Sequence, residues 1–225
     1  MKRKYSCYGY VMVVAVIADI VGSRKLDDRT AAQGILDETI VRVEADRPLA
    51  MQSLTPTVGD EQQGVYRTIE DAVTGLLMIQ LALPDGLSFR FGVGVGEIRA
   101  VDSAHGALTD GPGWWAARSA IETVHAREGR AVPRTRTWIV GAPGQDEVMP
   151  TVIAATNAYL LARDELVGAM SGRERRLTYG RLIGRSQSEL AEQEGITQPS
   201  VSKSLRSAGA AALIEGLSTL RGEPS

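Results

Sequence analysis

The chain has 225 residues, 44% of them apolar and 23% charged, and its net charge is −2. A chain of this size and composition has room for one sizeable core, or for one medium domain and a small one. The nearly neutral charge excludes an overall basic, histone-like binder, and the single cysteine excludes an internal disulfide framework. No segment approaches the ~20 apolar residues that span a bilayer, and the basic start lacks the pattern of a signal peptide. We therefore expect a cytoplasmic protein.

An apolar run near the N-terminus ends abruptly in a carboxylate. Residues 11–18 are apolar, and Asp19 follows them shortly before the turn signal Gly22-Ser23. Such a run predicts a buried central strand. A carboxylate at the end of a buried strand is costly unless it is paired, hydrogen-bonded or bound to a metal. Asp60 lies in a later turn signal, and we expect the two acids to meet in space.

The rest of the first 170 residues predicts alternating strands and helices. A helix capped by Asp27 and Asp28 should run to residue 46, and a tight turn should join strands at 51–58 and 62–66. Further elements are a helix at 68–83, a strand at 88–98, a loop at 99–110, a helix that begins near Pro112, a strand at 134–140 and a helix at 148–170. This order predicts an α+β fold, a ferredoxin-like, palm-type sandwich.

The strand predicted at residues 88–98 reads S-F-R-F-G-V-G-V-G-E-I, with glycine at alternate positions. Glycine inside a strand usually marks the close approach of another backbone or of a ligand. We expect the glycine side of this strand to be approached in that way.

The composition shifts near residue 171, and we place a domain boundary there, between residues 1–170 and residues 171–225. Within the second part, S-Q-S-E-L-A-E-Q-E-G-I-T-Q-P-S-V-S-K-S-L at 186–205 predicts a small all-α helix-turn-helix domain. Gly195 supplies the turn, and Thr197 caps the second helix. Four apolar positions face inward: Leu190, Ala191, Val201 and Leu205.

The second of these helices carries polar side chains on its outer face. We expect them to contact DNA, because such groups suit phosphates and base edges. They are Gln198, Ser200, Ser202, Lys203 and Arg206. With only one lysine and one arginine on this face, a monomer should bind DNA weakly. We therefore predict that the protein binds DNA as a dimer. The same residues are also compatible with a helical hairpin used for dimerisation or docking.

The two acids predict a site for a hard cation. Asp19, Asp60 and the backbone carbonyl of Ile20 offer the oxygen ligands that Mg²⁺ or Mn²⁺ prefers, and such ions usually accompany nucleotide phosphates. Arg118 offers a charge-assisted contact to those phosphates. Backbone N–H groups at the turn are expected to cradle them, namely those of Val21, Gly22 and Ser23. The alternative is that both acids only hydrogen-bond turns, and that Arg118 pairs with Glu122 one helical turn later.

Four segments resemble known families. A-D-I-V-G-S-R at 18–24 resembles the first metal motif of class III nucleotidyl cyclases, and V-G-D-E-Q at 58–62 resembles their second and the GGDEF hairpin of diguanylate cyclases. R-F-G-V-G-V-G-E-I at 90–98 resembles a cyclase strand, and G-P-G-W-W-A-A-R at 111–118 resembles the helix that bears the catalytic Asn and Arg. With the C-terminal helix-turn-helix, essentially the whole chain resembles the SatD family of bacterial proteins.

This resemblance implies roles for individual residues. Asp19 and Asp60 match the metal acids, and Arg118 matches the transition-state arginine. The catalytic Asn is replaced by Trp114, and the base-reading Lys falls on Pro56. An indole can stack on a base, but it cannot orient a ribose as an amide does, so we expect cyclisation to be compromised and metal and nucleotide binding to be retained. The resemblance also implies a homodimer.

Three hypotheses follow from the sequence. The first is a DNA-binding transcription regulator with a degenerate cyclase-like domain that senses a metal-bound nucleotide. The second is an active cyclase or nucleotidyltransferase that uses Mg or Mn and a nucleoside triphosphate, with Trp114 stacked on a base. The third is an interaction module without catalysis.

Overall fold

The computed structural model of the protein describes residues 12–22, 29–57, 61–101 and 108–222. Four residues with predicted roles lie outside the described residues, namely Ser23, Asp27, Asp28 and Asp60.

The strands in the described residues are β1 (Met12–Ile20), β2 (Ala50–Pro56), β3 (Gln62–Tyr66), β4 (Phe89–Glu97), β5 (Arg99–Val101), β6 (Leu108–Asp110) and β7 (Thr137–Gly141). The helices are α1 (Arg29–Asp46), α2 (Ile69–Ala82), α3 (Pro112–Glu128), α4 (Met149–Ala169), α5 (Gly172–Leu182), α6 (Gln187–Glu194), α7 (Gln198–Ser207) and α8 (Ala210–Leu220). No helix in this part of the chain is long and apolar enough to cross a membrane.

Five of the strands form one sheet in the order β2-β3-β1-β4-β7. Strand β1 is antiparallel to both β3 and β4, and β4 is parallel to β7. The first four strands have the ferredoxin-like order, and β1 lies at the centre, as the apolar run predicted. Strands β5 and β6 form a separate two-stranded hairpin inside the predicted loop. Each has three residues, too few for a periodic pattern to be recognised.

The glycine-rich side of β4 is covered by the backbone of α3. A side chain at Gly94 would overlap the carbonyl oxygen of Gly113, and one at Gly92 would overlap that of Ala117. The predicted close approach of another backbone is therefore confirmed, and the neighbour is a helix. Larger residues here would push α3 off the sheet.

The two faces of the sheet bury different helices. Because side chains alternate along a strand, Val14, Val16 and Ala18 join the main core with α1, α2 and α4. Val13, Ala15 and Ile17 instead join a smaller core with α3. Asp19 is the next residue in the alternation of Val13, Ala15 and Ile17, and its side chain therefore lies on the α3 side of the sheet.

Strand β7 lies at the edge of the sheet, and side chains of α4 form hydrogen bonds with backbone groups on its open side. The side-chain amide of Asn157 accepts from the N–H of Ile139 and donates to its carbonyl, both at 2.9 Å. Two turns later, Asp164 accepts from the N–H groups of Arg136 and Thr137 at 2.7 and 2.8 Å. Open strand edges invite pairing with other chains, so these contacts stabilise the monomeric sheet. They also fix the start of β7 at Thr137, later than predicted.

The C-terminal helices build a small core of their own. It contains Leu177, Leu190, Ala191, Val201, Leu205 and Ala210. Tyr179 of α5 and Leu213 and Leu217 of α8 pack instead into the main core. Helices α5 and α8 therefore hold the α6–α7 pair against the sheet-containing part, which we call the body (residues 12–169).

Candidate functional site

Asp19 stands at the end of β1, opposite Arg90 of β4 in the antiparallel register. Arg90 Nη1 lies 3.2 Å from Asp19 Oδ1, and His125 Nε2 of α3 lies 2.9 Å from Asp19 Oδ2. Both carboxylate oxygens thus have a nitrogen partner. The cost of placing this charge at the end of a buried strand is met by ion pairing.

The ion pairing continues across β4. Arg90 Nε lies 2.6 Å from Glu128 Oε2, and Arg136 Nη1 lies 3.1 Å from Glu128 Oε1. Burial lowers the pKa of Arg136, and the charge of Glu128 opposes that effect. Basic and acidic side chains alternate from His125 through Asp19, Arg90 and Glu128 to Arg136, and we call these five residues the strand-end network.

Arg118 lies beside this network and is half exposed. Its guanidinium forms a two-point contact with Glu61, at 2.7 Å to Oε2 and 2.8 Å to Oε1. The hydrogen bond with Glu61 raises the pKa of Arg118, and Glu122 and Asp19 add smaller effects in the same direction. The structure therefore brings Arg118 close to Asp19, while its direct partner is Glu61, the residue after Asp60.

Trp114 and Trp115 have opposite environments. Trp114 is 8% exposed and packs with Ile17 and Ile121 in the smaller core. Its Nε1 is buried without a hydrogen-bond partner in the described residues. Trp115 is 64% exposed on the outer side of α3. Stacking of a base on Trp114 requires movement of α3, whereas Trp115 is already open to solvent.

The backbone after β1 is described as far as Gly22. Ile20 remains paired with Phe89 in the sheet, and the N–H of Val21 donates to the carbonyl of Ser88 at 2.9 Å. The N–H of Val21 is therefore engaged within the protein. Gly22 has a φ of +69° and open space around it, so the turn remains accessible.

The described residues alone do not fit a divalent cation. A metal ion at Asp19 would have to displace Arg90 and His125, and the positive charge of Arg90 disfavours a second cation there. Among the described residues there is no group of three His, Cys, Asp or Glu side chains that could hold a metal ion. The prediction of Mg²⁺ or Mn²⁺ therefore depends on Asp60, which lies outside that part of the chain.

Sequence reasoning assigned no role to four members of the strand-end network: Arg90, His125, Glu128 and Arg136. Arg90 begins the segment that resembles a cyclase strand, Glu128 and Arg136 lie in no motif, and His125 has no ligand spacing. The pairing of Arg90 with Asp19 follows from the register of β1 and β4, which only the folded sheet defines.

The segment predicted as a helix-turn-helix folds into α6 and α7. Ser186 and Glu189 form a capping box at the start of α6, and Gly195 ends that helix with a φ of +64°. Thr197 then caps α7 by accepting from the N–H of Ser200 at 3.4 Å. Leu190 and Val201 pack together beneath the turn. Three of the four ends of these two helices thus have a local residue that specifies them.

The outer face of α7 is polar, and α7 itself contains no acidic residue. Gln198, Ser200, Lys203 and Arg206 are exposed, and Ser202 is half-buried. Among the described residues, neither Lys203 nor Arg206 has a carboxylate within ion-pair distance. The first turn of α7 holds no acidic residue, so its N-terminal N–H groups favour an anion.

A family model with the description SatD family matches residues 13–215. No curated protein matched the chain.

Several solved structures are similar to about half of the chain. The non-canonical dimeric guanylyl cyclase domain of the RhoGC fusion protein from the aquatic fungus Blastocladiella emersonii shares 18% identity, with a TM-score of 0.42, over 51% of this chain and 75% of that chain. An adenylate cyclase from Trypanosoma brucei in its monomeric state shares 18% identity, with a TM-score of 0.41, over 51% and 69%. A bacterial light-regulated adenylyl cyclase shares 14% identity, with a TM-score of 0.41, over 52% and 40%. Likeness of this degree carries no inference about what this chain binds or catalyses.

Proposed function

The chain belongs to the SatD family, and we propose that it is a DNA-binding regulator that uses α6 and α7 as a helix-turn-helix. The observation that carries this proposal is the outer face of α7. Lys203 and Arg206 lie one turn apart there, exposed and without an ion pair to any described residue. Several arginines of the body are instead paired with carboxylates, among them Arg90, Arg118 and Arg136. Cations left open on a short, well-capped helix are suited to phosphates.

Gln198 and Ser200 extend the same face toward the start of α7. Glutamine can pair with adenine through two hydrogen bonds, and serine can contact either a base or a phosphate. The N-terminal residues of a recognition helix usually contact base edges. We therefore assign base contacts to this end and backbone contacts to Lys203 and Arg206, with Ser202 at the margin.

Two cations in each chain neutralise few phosphates. Because each neutralised phosphate releases a counterion, we expect weak binding by a monomer and useful affinity only for a homodimer. The dimer would place two copies of α7 about one helical turn of DNA apart.

We assign a sensing role to the body and retain nucleotide binding there as a prediction. The ligand would contact the turn at Gly22 and Ser23 and the half-exposed Arg118, since the N–H of Val21 already donates to Ser88. A phosphate at Arg118 would compete with Glu61, and a metal at Asp19 and Asp60 would compete with Arg90 and His125. Binding would thus exchange existing ion pairs, which provides a way to shift the body between two arrangements.

The first test is DNA binding by fluorescence anisotropy, with a duplex from the promoter region of the protein's own gene. Lys203→Ala and Arg206→Ala should each weaken binding about tenfold. Arg130→Ala serves as the control, because Arg130 is an exposed arginine beyond the end of α3 and outside α7. Unchanged affinity in both α7 variants would refute the proposed role of this helix.

The sensing role is tested by thermal unfolding with each of the four ribonucleoside triphosphates, with and without Mg²⁺ or Mn²⁺. A ligand that binds only the folded protein raises the melting temperature. We expect a rise with at least one nucleotide and its loss in Asp19→Ala. Mass spectrometry of the same mixtures separates sensor from enzyme. A new phosphodiester product formed by the wild type and not by Asp19→Ala would show that the body is an enzyme and not only a sensor.

A further inference from the structure

A cavity of about 790 Å³ lies between α1, the C-terminal end of α2, and helices α5 and α6. Its volume falls in the range typical of small-molecule sites, roughly 300–1,000 Å³. One wall belongs to the body, and the other belongs to the helices that support α7. We call this cavity the α1–α5 cleft.

Four arginines line the cleft, and they differ in their partners. Arg175 pairs with Asp85 at 2.5 Å, and Arg176 pairs with Glu194 at 2.7 Å. The other two, Arg42 and Arg185, have no carboxylate within ion-pair distance among the described residues. Arg42 donates to the carbonyl of Ala82 at 2.8 Å, and Arg185 donates to the side chain of Gln193. Their charges are not neutralised by those contacts.

These two arginines come from opposite walls of the cleft, and Arg42 lies beside Tyr179, which also lines the cleft. The guanidinium carbon of Arg42 lies 5.6 Å from the centre of the Tyr179 ring, and the Tyr179 hydroxyl donates to Asp46 at 2.6 Å. Burial and the bond to Asp46 raise the pKa of Tyr179, while the charges of Arg42 and Arg185 oppose that rise. Arg42 and Arg185 therefore line one cavity, Arg42 from α1 and Arg185 from the segment before α6.

We propose that the α1–α5 cleft binds a small-molecule anion, with Arg42 and Arg185 as its principal contacts. Guanidinium groups bind phosphate and carboxylate through paired hydrogen bonds, and both kinds of oxyanion fit this chemistry. Glu38 and Asp46 also line the α1 wall and can accept hydrogen bonds. The ligand therefore carries hydroxyl or amino groups in addition to its anionic groups.

The position of Arg185 connects this site to α6. Arg185 directly precedes Ser186, the residue that caps α6, and Arg42 belongs to the body. An anion held by both arginines would fix the start of α6 relative to α1. The consequence for DNA affinity rests on the proposed function, whereas anion binding itself does not.

The test uses isothermal titration calorimetry on the full chain without DNA. Sodium pyrophosphate and sodium citrate are the probes, each at the same ionic strength set with sodium chloride. We expect saturable binding of at least one probe at one site per chain. Binding of pyrophosphate alone identifies a phosphorylated ligand, and binding of citrate alone identifies a carboxylated one.

Arg185→Gln and Arg42→Gln should each weaken that binding about tenfold, because each removes one charge-assisted contact. Arg130→Gln is the matched control and should bind as the wild type does. Arg42 also bonds to the end of α2, so Arg42→Lys, which keeps the charge, should retain more affinity than Arg42→Gln. The proposal is overturned if neither probe binds, or if Arg185→Gln binds as tightly as the wild type. Anion binding without DNA binding would refute the proposed function and leave this site intact.

Discussion

The strand-end network and the outer face of α7 use charge in opposite ways. In the network, Asp19 is held by Arg90 and His125, and Glu128 is held by Arg90 and Arg136. On α7, Lys203 and Arg206 face solvent without an ion pair to any described residue. Paired charges keep elements of the fold in place, and unpaired ones are available to a partner. The comparison therefore separates residues that stabilise this protein from residues that we propose as contacts to DNA.

Burial decides how strongly the paired charges matter. Exposed ion pairs contribute about 0–1 kcal/mol, because water and salt screen them. Removing one member of a buried pair costs about 3–5 kcal/mol, because the remaining charge is left uncompensated. The following predictions begin at a fully buried ion pair and end at a pair whose arginine is mostly exposed to solvent.

The largest effect is expected at Asp164, which is buried with Arg163 at 2.7 Å and also holds two N–H groups at the start of β7. Asp164→Ala should lower the free energy of unfolding by about 3–5 kcal/mol, measured by urea denaturation. Asp85→Ala is the control, because Asp85 also pairs with an arginine but is 78% exposed. Its cost should stay below about 1 kcal/mol. Equal costs for the two variants would contradict the role given to burial.

A second test removes charge from α7 and measures salt dependence. The logarithm of DNA affinity falls with the logarithm of salt concentration by about 0.9 for each neutralised phosphate. In a homodimer, Lys203→Ala removes two contacts, so the slope should become shallower by about two. The free energy of unfolding should remain unchanged, since Lys203 has no ion-pair partner among the described residues. A slope equal to that of the wild type would exclude Lys203 from phosphate contact.

At the strand-end network, Asp19→Asn keeps the size of the side chain and removes its charge. The contact to Arg90 is mostly sheltered from solvent, whereas His125 is half exposed, so the variant should lose about 1–2 kcal/mol of unfolding free energy. DNA binding measured without added nucleotide should stay at the wild-type level. A substantial loss of DNA affinity would show that the network controls α7 and would weaken the contrast between the two regions.

The smallest effect concerns Glu194, at the end of α6. Its hydrogen bond with Arg176 lowers the pKa of this carboxyl, which thus adds stability while it is ionised. That stability is complete above the ordinary carboxyl pKa of about 4.3 and is lost as the pH falls through the lowered value. We expect a drop of under about 1 kcal/mol on acidification. Glu194→Gln should remove this component of the pH dependence in thermal unfolding between pH 7 and about pH 3.

The local pattern of the chain determined most of its elements. The apolar run before Asp19 predicted the central strand, and the alternating glycines predicted the close approach that α3 makes to β4. The segment 186–205 predicted two short helices with a turn at Gly195 and a cap at Thr197. Signals of this kind depend on residues within a few positions of one another, so one sequence is enough to read them.

Only the tertiary structure decided the partners of the charged residues. Asp19 and Arg90 are 71 positions apart, and Asp19 and His125 are 106 apart. Their meeting depends on the register of β1 with β4 and on the rotation of α3 over the sheet. The same holds for Arg118, which meets Glu61 rather than the nearby Glu122, and for the arginines that line the α1–α5 cleft. Long-range contacts of this kind leave no periodic trace in the chain, because each is set by packing of the whole core and not by neighbouring residues.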